Sequence, residues 1–171
     1  MRVKAIVYTS NTGHTAEYAK LFHDATNLPV FSLEDAQKKL KSGTEIIYFG
    51  WLMAGSVVGY NEAAKLYDIK TVCGVCLATS GTLDNEVRKR HRIPEKVPVF
   101  TLQGGFDIKK LSGGYKIGMM IMSKILKKKL GAGNEISEEN KIIIDMLDNG
   151  GSCVSLKNLD KVISAINGQE S

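Results

Sequence analysis

The sequence predicts an α/β protein: a doubly wound five-stranded parallel sheet of order 2-1-3-4-5, with a helical insertion before its last helix. Three observations carry this expectation. Short, β-branched apolar runs alternate with amphipathic helical segments from the N-terminus onward, the pattern of βαβ units. The first run, Val3–Tyr8, passes straight into a hydroxyl-rich turn and a helix. Roughly fifty residues, Gly104 to Cys153, separate the fifth strand from the final helix and are too patterned for a loop.

The elements follow in order. Val3–Tyr8 reads as a strand buried on both faces, and about Gly13–Ala25 as a helix carrying Ala16, Ala19, Leu21 and Phe22 among charged residues. Pro29–Ser32 is a short second strand. Leu33–Lys41 is a helix with Ser32 and Asp35 at its start and Gly43 past its end. The third strand is Glu45–Gly50, followed by a helix at Tyr60–Asp68 with Ala63, Ala64 and Tyr67 on one face. Thr71–Thr79 is the fourth strand, Leu83–His91 a short basic helix closed by Pro94, and Val97–Gln103 the fifth strand. Right-handed crossovers through these strands give the order 2-1-3-4-5. Within the insertion, Ile117–Leu130 and Ser137–Leu147 have helical character on either side of the breaker Gly131-Ala132-Gly133-Asn134. The final helix is Leu156–Ile166, with Ser155 as N-cap and Leu159, Val162, Ile163 and Ile166 as its apolar positions.

A chain of 171 residues, 43% apolar and 24% charged, makes one domain with a full core and leaves no room for a long disordered tail. The three cysteines have no framework spacing, which fits a reducing cytoplasm. The apolar run near Met1 is too short for a signal segment, and no stretch approaches membrane-spanning length. Three scattered histidines make a His-rich metal site an unexpected feature. The net charge of +5 is uneven: between Asp107 and Glu135 lie seven lysines (109, 110, 116, 124, 127, 128 and 129) and no acidic residue. That segment alone makes the chain basic; the remainder is mildly acidic.

The chemistry concentrates after the first strand, in Thr9-Ser10-Asn11-Thr12-Gly13-His14-Thr15, which holds four hydroxyls and no carboxylate. A strand-to-helix turn leaves free backbone N–H groups at the positive end of a helix, where an anion is stabilised. Ser10, Asn11, Thr12, His14 and Thr15 add polar side chains, and Gly13 lets the backbone approach a ligand closely. This is the composition of a phosphate cradle. A Walker loop and a Rossmann G-x-G-x-x-G fingerprint are both missing. The carboxylates of a phosphoacceptor domain are missing too, since Tyr8-Thr9 and Gly50-Trp51 stand at the ends of the first and third strands.

From Ile6 to Thr15 the sequence resembles the flavodoxin signature, a strand ending in an aromatic followed by S/T-x-T-G-x-T. The resemblance implies a flavodoxin-like fold and an FMN whose terminal phosphate rests on Ser10–Thr15 through neutral hydroxyls and amides. It also implies that the loop Gly50-Trp51-Leu52-Met53-Ala54-Gly55-Ser56 and the loop Ala78-Thr79-Ser80-Gly81-Thr82 hold the isoalloxazine. Trp51 then stacks on or borders the ring, or else packs on neighbouring helices, while Met53 packs at its edge. The backbone of Trp51, Leu52, Met53, Ala54 and Gly55 would face flavin N5, and Thr79, Ser80 and Gly81 would bond its pyrimidine end. Cys73 and Cys76 lie three apart inside a strand and so point to opposite faces, which reads as packing rather than redox or zinc chemistry. No residue stands out as a general acid or base.

In the helix Ile117–Leu130, Lys116, Lys124, Lys127 and Lys128 share one side. Met119, Met122, Ile125, Leu126 and Leu130 share the other, with Ile117, Met120 and Lys129 blurring the division. Such a helix can rest on an anionic membrane, accept an apolar acidic substrate, or pack on its own domain or a second subunit as in a homodimer. With no arginine and only Tyr115 as an interleaved aromatic, nucleic acid is not an expected partner. Gln103-Gly104-Gly105-Phe106, the basic linker with Tyr115, the apolar-basic helix, the glycine break and the final helix resemble the layout of the menaquinone-dependent protoporphyrinogen oxidases, which are flavodoxin-like FMN enzymes. Two functions are therefore expected. One is electron transfer of the flavodoxin type, with redox proteins or a small donor or acceptor as partners. The alternative is an FMN-dependent oxidoreductase of the protoporphyrinogen or quinone type, using the stretch Lys109–Lys129 to dock a substrate or membrane.

Overall fold

The computed structural model describes residues 3–107, 109–110, 113–131 and 136–168. Its elements, in chain order, are β1 (Ala5–Tyr8), α1 (His14–Thr26), β2 (Val30–Ser32), α2 (Leu33–Lys39), β3 (Glu45–Met53), β4 (Ser56–Val57), α3 (Tyr60–Leu66) and β5 (Asp68–Cys76). They continue with α4 (Asp84–His91), β6 (Val99–Gln103), β7 (Gly105–Phe106), α5 (Gly113–Leu130), α6 (Glu138–Asn149), β8 (Gly151–Ser152), a 3-10 turn at Leu156–Leu159 and α7 (Asp160–Asn167). The principal strands form a parallel sheet, β2-β1-β3-β5-β6. β4 folds back antiparallel on the end of β3, and β7 and β8 form a separate antiparallel pair. The chain is thus α/β, with a mostly parallel sheet flanked by helices, as its alternating pattern predicts.

Alternation along the strands builds two cores. Ile6, Ile47, Phe49, Cys73, Val75 and Leu102 face α1 and α7, meeting Tyr18, Phe22, Leu159 and Val162. Ala5, Val7, Ile46, Tyr48, Val72 and Val99 face the other way, toward Leu33, Ala36, Ala63 and Val87 of α2, α3 and α4. Side chains two apart share a face, so continuous apolar runs supply both layers at once. A polar tie fixes the last helix. The Tyr18 hydroxyl donates to the Gln103 carbonyl at 2.5 Å, and Asn158 Nδ2 donates to the Tyr18 oxygen at 2.6 Å and to the Cys153 carbonyl at 2.9 Å.

Three segments differ from expectation. The fourth principal strand, β5, covers Asp68–Cys76 rather than Thr71–Thr79. Its charged start is held in the sheet because Lys70 Nζ bridges Asp68 at 2.6 Å and Glu45 of the adjacent strand at 3.1 Å. β3 runs three residues beyond Gly50, and its presumed loop is a hairpin. Ala54 (φ 49) and Gly55 (φ 78) form a two-residue turn that returns Ser56-Val57 against Leu52-Met53. Ser155 precedes the 3-10 turn without a side-chain capping bond, whereas Ser32 does cap α2, accepting the Asp35 N–H at 3.1 Å.

The insertion forms its own small core, with Phe106, Ile143, Met146 and Leu147 buried against Leu77, Met119, Leu126, Leu130 and Cys153. The packed face of α5 runs Met119–Ser123–Leu126–Leu130, and Ser123 is buried. Ile125, expected on that side, is exposed. It stands about a third of a turn away from Leu126, which takes it out of the packed row. Lys127, expected on the open lysine face, is ion-paired with Asp148 of α6. Of the breaker, Ala132, Gly133 and Asn134 lie outside the described residues, as does the side chain of Tyr115.

Candidate functional site

β1 delivers the chain into the turn 9–13 at the carboxyl edge of the sheet, where two ties fix the turn. Thr9 Oγ1 donates to the Val58 carbonyl at 2.7 Å, so this hydroxyl is structural. Ser10 Oγ accepts the Gly13 N–H at 3.2 Å. Gly13 is the N-cap of α1 with φ 101, a backbone that side chains with a Cβ rarely adopt. No side chain caps α1. The N–H groups of His14, Thr15 and Ala16 lack intrahelical acceptors by helix geometry, and they lie at the positive end of a 13-residue helix.

Side chains complete the turn. Thr12 Oγ1 and His14 Nδ1 are 3.0 Å apart. Burial holds His14 below its ordinary value of 6.5, and Lys110 acts in the same sense, while Glu17, Asp107 and the Gly151 backbone oppose them. The ring is therefore neutral at pH 7. Thr15 is buried. Asn11 Nδ2 is buried with no hydrogen-bond partner among the described residues. An unsatisfied buried amide costs free energy, and a ligand acceptor would relieve that cost.

This turn closes one end of a cavity of about 760 Å³. Trp51, Leu52, Met53 and Ala54 of the β3–β4 hairpin form one wall, and Val75, Cys76 and Leu77 at the end of β5 form another. Gly105 and Phe106 border it, and α5 roofs it through Gly118, Met119, Met122, Ser123 and Leu126. Among the described residues no Lys, Arg, Asp or Glu lines it. The site is polar at the turn and mainly apolar elsewhere, with Ser123 the exception on the roof. Its donors suit a phosphate ester, and its walls suit a flat aromatic body attached to it.

Of the residues expected from sequence, Asn11, Thr12, His14, Thr15, Trp51, Leu52, Met53 and Ala54 come together on this cavity. Ser10, Gly13 and Gly55 shape its turns without lining it. Thr79, Ser80 and Gly81 are not among the residues that line it. Because β5 ends three residues early, that loop is spent on β6: Ser80 Oγ accepts the Gln103 N–H at 2.9 Å, and the Gly81 N–H donates to the Thr101 carbonyl at 2.9 Å. Their place on the wall belongs to Val75–Leu77. The sequence reading also missed Phe106 and the inner face of α5. The apolar positions of α5 were visible, but nothing local told which of them would meet the sheet edge.

Cys73 and Cys76 are free thiols. Burial raises both, Cys76 to about 11, so both stay protonated. Among the described residues no three His, Cys, Asp or Glu side chains cluster as a metal site, and no helix is long and apolar enough to cross a membrane. Comparison with family models, curated proteins and solved structures finds no match to this chain.

Proposed function

We propose that the chain is a flavodoxin-like protein that binds FMN in this cavity and serves electron transfer. The observation that carries the reading is the open, uncharged helix start at residues 10–15 leading into an apolar cavity at the carboxyl ends of β1 and β3. In doubly wound sheets ligands bind at that edge, at the switch between strands running in opposite directions from the first. The observed order β2-β1-β3-β5-β6 makes β1 and β3 the pair that flanks the switch.

FMN, when bound, supplies one- and two-electron chemistry. The protein's part is to bind, orient and shield it. Asn11, Thr12, Thr15 and the first-turn amides of α1 hold the phosphate. Trp51–Ala54 and Val75–Leu77 enclose the ring, and α5 keeps water from it. With neither cation nor carboxylate among the described residues of the lining, the phosphate would be held by dipoles rather than by charge pairing.

A second reading, an oxidoreductase of the protoporphyrinogen or quinone type, draws support from the roof. Met119, Met122 and Leu126 enclose apolar space that could receive a second reactant. Turnover of porphyrinogen or quinone by the flavin-loaded protein would favour it, and electron exchange with redox proteins alone would favour the carrier.

The test is titration of apoprotein with FMN, followed by flavin fluorescence. Wild type should bind, and Thr12→Ala/Thr15→Ala should bind weakly. Each hydroxyl bonded to a charged group contributes about 1.5–3 kcal/mol, so the pair costs on the order of 10²- to 10⁴-fold in Kd. A double variant with wild-type affinity would sink the cradle assignment.

A further inference from the structure

The outer face of α5 is exposed among the described residues. Ile117, Ile121 and Ile125 are 65%, 57% and 58% exposed, and Met120 beside them is 44% exposed. Spaced four apart, the three isoleucines form a line along a helix about 27 Å long. Lys124 and Lys128 lie in the same arc, each three residues beyond an isoleucine of that line, and both are exposed. Lys116 and Lys129 flank it, and α5 contains no acidic residue. The line also runs beside the cavity: Gly118 and Met122, three residues before Ile121 and Ile125 respectively, line it.

We propose that this face docks the protein on an anionic lipid surface, with α5 lying in the plane of the bilayer boundary. The isoleucines would enter the acyl region, while Lys124 and Lys128 extend to the headgroup phosphates. The lysines decide between occupants. In a protein interface they would lie at the centre of the apolar patch, where lysine is depleted because its charge must be desolvated. At a bilayer their apolar stems lie against the lipid and their ammonium groups stay wet. A second copy docked face to face would set lysine against lysine. The helix lies on the membrane rather than crossing it, and the inference stands whatever the cavity binds.

Cosedimentation with vesicles of equimolar phosphatidylcholine and phosphatidylglycerol tests this, with phosphatidylcholine alone as control. Wild type should bind the anionic vesicles and release partly as salt rises. Lys124→Gln/Lys128→Gln should lower the partition coefficient about 30-fold, from about fivefold per lysine. Ile117→Gln/Ile121→Gln/Ile125→Gln should lower it tenfold or more and remove the salt-resistant part. All five positions are exposed, so the unfolding midpoint should not move. Wild type that stays in the supernatant overturns the proposal, as does equal binding to neutral vesicles. So does a wild-type dimer that the isoleucine variant dissociates without any vesicle binding, which would make the face a self-interface.

Discussion

Asn11→Ala separates a ligand donor from a structural residue, because the two roles predict opposite signs. In the protein as described, Asn11 Nδ2 is buried without an acceptor. A buried donor left unmade costs about 1–3 kcal/mol, so removing it should leave the unfolding midpoint of the apoprotein unchanged or raised. A phosphate oxygen in the cradle would accept that N–H as a charge-assisted bond, of about 1.5–3 kcal/mol. The variant should therefore lose about 10- to 150-fold in FMN affinity while its apo stability holds or improves. Thermal unfolding of apoprotein and FMN titration, run on the same two preparations, give both numbers. A variant that melts lower yet binds FMN as wild type would refute the reasoning, since Asn11 would then be a structural residue with an acceptor of its own.

Two further outcomes follow. Trp51 lines the cavity beside Leu52 and Met53, so its emission should be quenched as FMN saturates the apoprotein; unchanged emission would remove it from the ring contact. His14 and His91 are both held below 6.5, chiefly by burial. The unfolded chain therefore takes up protons first on acidification, and stability should fall as pH drops from 6.5 through the lower folded values. For His91 the geometry agrees: Nε2 accepts the Val57 N–H at 2.9 Å, which a protonated ring cannot do. Melting scans from pH 7.5 to pH 5 check this, and a midpoint that does not fall with pH would contradict it.

What could be read from the sequence was what local chemistry determines. The turn at residues 10–15 was legible because its hydroxyls, its glycine and its place between a strand and a helix are all neighbours in sequence. The β3–β4 hairpin was not, because its turn is Ala54-Gly55 rather than Asn-Gly or Asp-Gly, and an alanine at φ 49 gives no signal. The start of β5 was hidden because Asp68 reads as the end of the preceding helix and Lys70 as a connecting residue until their pairing with each other and with Glu45 is seen. Moving that strand by three residues exchanged Thr79–Gly81 for Val75–Leu77 on the cavity wall. In α5 the spacing showed an amphipathic helix, but packing on α6 and on Phe106 chose which arc turned inward. The lysines carry no such information, since Lys127 meets α6 and Lys124 meets solvent.

His14 joins the two halves of the site. β7 and β8, which begin and end the insertion, pair at Gly105–Ser152 and Phe106–Gly151. The Cys153 N–H donates to the Gly104 carbonyl at 2.8 Å, and the Gly104 N–H donates to the Cys76 carbonyl at 2.7 Å. This neck sits directly on the imidazole: a Cβ at Gly105 would collide with His14 and with the Gly151 carbonyl. The other side of the same ring meets the Thr12 hydroxyl. A side chain at position 105 must therefore displace either the β7–β8 neck or His14 at the start of α1. The insertion is thus seated on the residue that meets Thr12, and it borders the cavity as fully as the turn does.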